Sequence, residues 1–172
     1  MLEQFRGSSL FLTLQHALQV VLAGYALRHS YVAITKLRKY EATTKKAAKW
    51  SDEAQQQLNK TRTTQGAGAI TAVVSLLASL TLIALPNFFS GRTRSFVSPT
   101  LLVLVIGARR YIKSFWAPGD ADSKGKDKGT VVPLPKMEEY NEAVQKTEDL
   151  LKCLEYLEYS WVITSVFGLM KA

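Results

Sequence analysis

Apolar residues gather into four blocks separated by strongly charged stretches, instead of recurring at the period of a surface helix or strand. The first block covers 10–34 and follows Ser8 and Ser9, which suit a helix start. Residues 10–27 alone span about 27 Å as a helix, close to the hydrocarbon thickness of a bilayer. A signal peptide is the competing reading, because Ala23, Gly24, Tyr25 and Ala26 loosely resemble a cleavage site. Against it, Arg6 is opposed by Glu3, and Gln15, His16 and Gln19 interrupt the apolar run. The pattern therefore predicts an uncleaved first span over about 10–29.

The second block, 67–85, is wholly uncharged and is closed by Pro86, giving a span over about 67–86. A short turn over 87–94 leads to Ser98 and Pro99, which suit the N-cap and first position of the next helix. Its apolar core, 99–108, is only about 15 Å long as a helix. Counting 96–116 gives enough length for a third span if Arg109 and Arg110 snorkel or find partners. A re-entrant segment is the alternative there. The fourth span, 154–170, is also short and carries Tyr156, Tyr159 and Trp161 as an expected interfacial belt.

Between the blocks, 31–65 reads as a helical hairpin turning near Trp50 and Ser51, with Ser51 as N-cap. Residues 117–136 carry Gly, Pro, Ser and Lys and read as a flexible loop. From 137 to 153 an amphipathic arm is expected, with Met137, Tyr140, Val144, Leu151 and Leu154 on its apolar stripe.

These elements change how the bulk numbers are read. The chain is 47% hydrophobic and 21% charged, with a mean hydropathy of zero, which by itself suits a soluble domain. The net charge of +8 sits against the ends of the apolar blocks, as cytosolic retention beside anionic lipid requires, and does not call for nucleic acid. Seventeen Lys and Arg lie in 36–62 and 109–152, against four in the N-terminal segment, the 87–97 turn and the tail. Both termini are then expected on the lumenal or exterior face, with 31–65 and 117–153 cytosolic. The endoplasmic reticulum or another endomembrane fits this arrangement. The lysines at 45–49, flanked by Tyr40 and Trp50, would lie over anionic head groups or an acidic partner surface.

Four groups are candidates for chemistry or assembly. Gln15, His16 and Gln19 fall on one turn of the first span, as a ligand or proton site or as interhelical hydrogen bonds. The second reading is the more economical. Arg109 and Arg110 lie at a depth comparable to Glu155 and Glu158, which suits ion pairing between the third and fourth spans. A catalytic carboxylate pair would need an acid/base partner or metal ligand that the sequence does not supply. Gly68, Ala72, Ser75 and Ser79 share one face of the second span, as a close-packing seam or as the ordinary small residues of a span. Cys153 is the only cysteine, so no intrachain disulfide forms, and it reads as an inert thiol. His16 and His29 are too far apart for a shared metal, and no cofactor is expected.

The expected fold is all-α: a polytopic, four-helix transmembrane bundle in one domain with helical extensions into the cytosol. The expected function is an accessory, scaffold or assembly subunit of a membrane complex, with a protein partner or a second copy of the chain. A small membrane-embedded enzyme acting on a lipid or other apolar substrate is the alternative. A channel or transporter built by oligomerisation ranks below both, because no pair of broken helices marks a midplane site.

Overall fold

The computed structural model describes residues 2–48, 52–85, 91–116 and 137–170, with side chains placed over 10–39, 61–85, 96–116 and 141–170 except Leu169. It is an all-α four-helix bundle. The helices are α1 (Leu2–Ala48), α2 (Asp52–Ala84), α3 (Gly91–Trp116) and α4 (Met137–Leu169). Helix α1 packs on α2 and α4, and α3 packs on the same two from the other side. Neighbours run antiparallel: Phe11 meets Phe167 at one end of α1 and α4, and Lys36 pairs with Glu142 at the other. The topology is up-down-up-down, with short connections from α1 to α2 and from α2 to α3 and a 20-residue connection from α3 to α4.

Buried positions follow a spacing of three and four. On α1 they are His16, Gln19, Ala23, Ala26, Ser30, Ala33 and Leu37; on α4, Ala143, Thr147, Leu150, Leu154, Leu157, Trp161 and Thr164, with Ser160 and Ser165 buried beside the last two. A 3.5-residue period keeps one seam of each helix against its partners, as in knobs-into-holes packing. The seams are unequal in size. Small and polar residues line α1 and α2, while Leu101, Val105 and Ile112 on α3 and the leucines of α4 fill the space between.

Large apolar side chains are exposed over residues 10–25 of α1, 70–85 of α2, 96–111 of α3 and 156–170 of α4. Each stretch rises about 22 Å. The stretches stand side by side, since Gln15 and Gln19 reach Ser160 and Thr164, Ser79 reaches Gln19, and Arg109 reaches Glu155. Tyr25, Tyr111, Tyr156 and Tyr159 mark one edge of this girdle. Among the described residues two stretches are long and apolar enough to cross a membrane: Leu10–Lys39, whose most apolar 18 residues have a mean hydropathy of 1.5, and Thr61–Ala84, whose most apolar 18 reach 2.1. The charges near the C-terminal end of α3 and along the first half of α4 dilute their apolar content.

Several local expectations need correction. Helix α3 begins at Gly91, so part of the expected 87–94 turn is helical and Pro99 lies inside the helix. An interior proline removes one backbone bond and crowds the preceding turn, yet the helix continues past it to Trp116; the neighbouring Thr100 Oγ1 donates to the Phe96 carbonyl at 2.8 Å. Ser98 is consequently a buried seam residue and not a cap. Trp161 is fully buried, not interfacial, because it occupies a seam position between Leu157 and Thr164. The α4 stripe holds at Leu154, which is fully buried, but before it Ala143, Thr147 and Leu150 are the buried positions, while Val144 and Leu151 flank them half-buried. The hairpin tip at Trp50 and Ser51 and the whole 117–136 loop lie outside the described residues.

Candidate functional site: a polar layer inside the bundle

Three of the four helices send polar side chains into the bundle at the level of Gln19. The seam spacing of α1 turns His16 and Gln19 fully inward and leaves Gln15 half-buried at the α1–α4 boundary. Gln15 Nε2 donates to Ser160 Oγ at 2.9 Å, and Gln19 Nε2 donates to Thr164 Oγ1 at 3.4 Å. The Thr164 hydroxyl is itself turned back on the Trp161 carbonyl at 3.1 Å, so it accepts from Gln19 and cannot donate to it. That fixes the Gln19 amide with its oxygen toward α2. There Oε1 accepts from Ser79 Oγ at 3.3 Å and lies 2.8 Å from His16 Nδ1. An amide oxygen only accepts, so His16 carries a proton on Nδ1. Gln19 is thus the hub that ties α1 to α2 and α4.

A second layer lies about 16 Å along α1, the rise from Gln19 to Ser30. Gln65 Nε2 donates to Thr147 Oγ1 at 2.6 Å, across the diagonal between α2 and α4. Thr147 donates onward to the Ala143 carbonyl at 2.7 Å. Ser30 Oγ lies 3.4 Å from the Gln65 carbonyl, and Trp116 Nε1 donates to Thr64 Oγ1 at 3.1 Å. The sequence does not single out this layer, because Ser30, Thr64, Gln65, Trp116 and Thr147 fall in arms or at span ends. Their shared seam register was the available signal. Between the layers the interior is mostly apolar, with Ala23, Ala26, Ala72, Leu154 and Leu157, joined by the buried hydroxyls of Thr71 and Ser75.

The charged group lies at the tyrosine edge of the girdle. Arg109 Nη2 is 2.8 Å from Glu155 and Nη1 is 2.9 Å from Glu158, so one guanidinium holds both carboxylates. Tyr159 adds a hydroxyl bond to Glu155 at 3.3 Å. Arg110 is exposed and makes no ion pair among the described residues. Beyond this edge His29 lies 3.7 Å from Asp149, which Lys146 also meets at 3.2 Å, and Lys36 pairs with Glu142. These join the extensions of α1 and α4.

Gly68, Ala72, Ser75 and Ser79 all face inward. A Cβ on Gly68 would meet both Leu150 and Ile112, so α2 comes close to α3 and α4 at this point. Cys153 is half-buried; burial, with Asp149 nearby, pushes its thiol above the usual range. Among the described residues no group of three His, Cys, Asp or Glu comes together to hold a metal ion.

Fold and site together define a four-helix bundle with an apolar outer girdle and hydrogen-bonded polar layers inside. No protein-family model, curated protein or solved structure matches the chain.

Proposed function

We propose that this chain is a multi-pass membrane protein that acts as a scaffold or assembly subunit, with the girdle in lipid and the basic extensions in the cytosol. The observation that carries this reading is the inverted distribution of side chains. All four helices expose large apolar residues at one level, while Gln19, Gln65, Ser75, Ser79 and Thr164 are buried. In water such a surface would drive aggregation; in lipid it is the favourable one. In the most apolar 18-residue window of each of the two stretches only 22% and 33% is buried, whereas the core helix of a soluble protein is mostly buried. The tyrosines at one edge suit a head-group region, with Arg109, Glu155 and Glu158 at the same depth.

The scaffold role rests on two further features. The side-chain bonds of Gln15 and Gln19, and those of the Arg109 cluster, run to neighbouring helices, which builds rigidity rather than a reactive centre. Helix α1 has 47 residues, about 70 Å of rise, more than twice a bilayer core, so it carries a long surface beyond the girdle. The Lys36–Glu142 and His29–Asp149 pairs hold α1 and α4 together there. Extraction in mild detergent is expected to recover a stoichiometric protein partner or a homo-oligomer. A strictly monomeric particle would overturn the assignment. Orientation has its own test, because Asn59 begins an Asn-Lys-Thr sequon. It is expected to stay unglycosylated, and endoglycosidase-sensitive sugar there would reverse the topology.

A membrane-embedded enzyme acting on an apolar substrate is the second reading, favoured by the buried His16. Loss of a pathway product in His16→Ala, Glu155→Gln or Glu158→Gln, with expression and partner binding retained, would replace the scaffold by the enzyme.

A further inference from the structure

Two hydrogen-bond donors in the bundle interior are left over once the polar layers are assigned. Trp161 Nε1 and Ser75 Oγ are fully buried and have no hydrogen-bond partner. They lie on α4 and α2, which run in the same direction across the bundle diagonal. The offset between these helices is read from Gln65 with Thr147, and again from Gly68 with Leu150: 82 residues in both cases. Ser75 is therefore level with Leu157, one turn before Trp161. Long helical side chains lean toward the N-terminus of their own helix, so the indole reaches back toward the level of Ser75. The indole also lies near His16, with ring centroids 6.2 Å apart.

The chemistry of the two groups restricts what can satisfy them. An indole N–H only donates; a serine hydroxyl donates or accepts. Neither bonds the other, and Ser75 makes no bond to a backbone carbonyl of its own helix, unlike Ser165, which donates to the Trp161 carbonyl at 2.7 Å. A single oxygen with two lone pairs would satisfy both. The third orphaned atom, Gln65 Oε1, is an acceptor in the other layer and calls for the opposite chemistry.

We propose that the bundle binds an oxygen acceptor between Trp161 Nε1 and Ser75 Oγ, supplied by a water molecule or by the carbonyl group of a lipid-soluble molecule. Both sources offer the same lone pairs. A carbonyl needs no further partners, whereas a water that accepts from both donors must place its own two hydrogens on other acceptors. This holds whether or not the girdle lies in lipid, because the orphaned donors are interior.

The test uses the full chain in detergent with 15N-labelled indoles, assigned by Trp161→Phe. Trp116, whose N–H donates to Thr64, is the internal reference for a bonded indole. The Trp161 N–H is expected to resonate at a bonded position and to exchange slowly. A cross-peak to water identifies water as the occupant. A stoichiometric carbonyl compound in organic extracts of the wild type, absent from those of Trp161→Phe, identifies the lipid-soluble ligand. In either case Ser75→Ala is expected to lower Tm. A Trp161 signal at the position of an unbonded indole overturns the proposal, and Ser75→Ala then leaves Tm unchanged or raises it.

Discussion

A Cβ placed on Gly68 would stand 2.8 Å from Cδ2 of Leu150, across the diagonal of the bundle. It would also stand 3.2 Å from Cδ1 of Ile112. Leu150 and Ile112 are both fully buried, so neither methyl can move without displacing its neighbours. Overpacking of this kind costs about 1–3 kcal/mol, against about 1 kcal/mol that alanine returns through helix propensity. Gly68→Ala is therefore expected to be neutral to about 2 kcal/mol destabilising, and Gly68→Leu to prevent the bundle from closing. Thermal unfolding of the purified variants in one detergent measures both.

Gln19 is expected to be the most sensitive polar position. Gln19→Leu keeps similar bulk but strands the Ser79 hydroxyl and the His16 Nδ1 proton inside the bundle. Each buried group deprived of its partner costs about 1–3 kcal/mol. A double-mutant cycle with Ser79→Ala should show positive coupling, because the second change removes a group that the first has stranded. Additive effects on unfolding free energy would mean that the Gln19–Ser79 bond contributes nothing.

Arg109 holds two carboxylates, so removing the cation should cost more than removing either anion. Arg109→Met leaves Glu155 and Glu158 facing each other without a counter-charge. With all three groups partly exposed, a loss of about 1–3 kcal/mol is expected, between the surface and fully buried limits. Glu158→Gln alone should cost less. The triple variant with Glu155→Gln and Glu158→Gln should recover much of the stability lost in Arg109→Met. Unfolding midpoints for the series would check this order, and a triple variant weaker than Arg109→Met would contradict it.

Cys153 should react slowly with thiol reagents. Burial, and then the negative Asp149 one turn away, raises its pKa, which leaves less thiolate at neutral pH. The alkylation rate is expected to fall below that of a cysteine in a short peptide and to keep rising at pH values where the peptide has levelled off. Asp149→Asn should move the profile toward lower pH, but only part of the way, since burial is the larger cause. A profile identical to that of the free peptide would remove the premise.

The four apolar blocks were legible in the sequence because hydropathy is a local property, and each block became part of one helix. The inward turn of His16 and Gln19 was legible from their spacing. Trp161 was not. Its local context of Tyr156 and Tyr159 resembles an interfacial belt, and only packing against α1 shows that position 161 lies on the seam while 156 and 159 lie outside it. The second polar layer was hidden for a similar reason: Gln65 and Thr147 are 82 residues apart and meet only across the bundle diagonal.

The choice between Arg109 and Arg110 shows where local information ends. Adjacent residues on a helix point about 100° apart, so only one of them can face α4, and the crossing of α3 with α4 selects Arg109. What the sequence by itself determined is that this chain forms long helices whose apolar blocks alternate with basic stretches, since block length and charge placement need no partner to be read. Tertiary structure decided which face of each helix is interior. That choice depends on the summed fit of all four seams: small residues on α1 and α2 admit the large ones of α3 and α4, and the polar groups that fall inside must find one another.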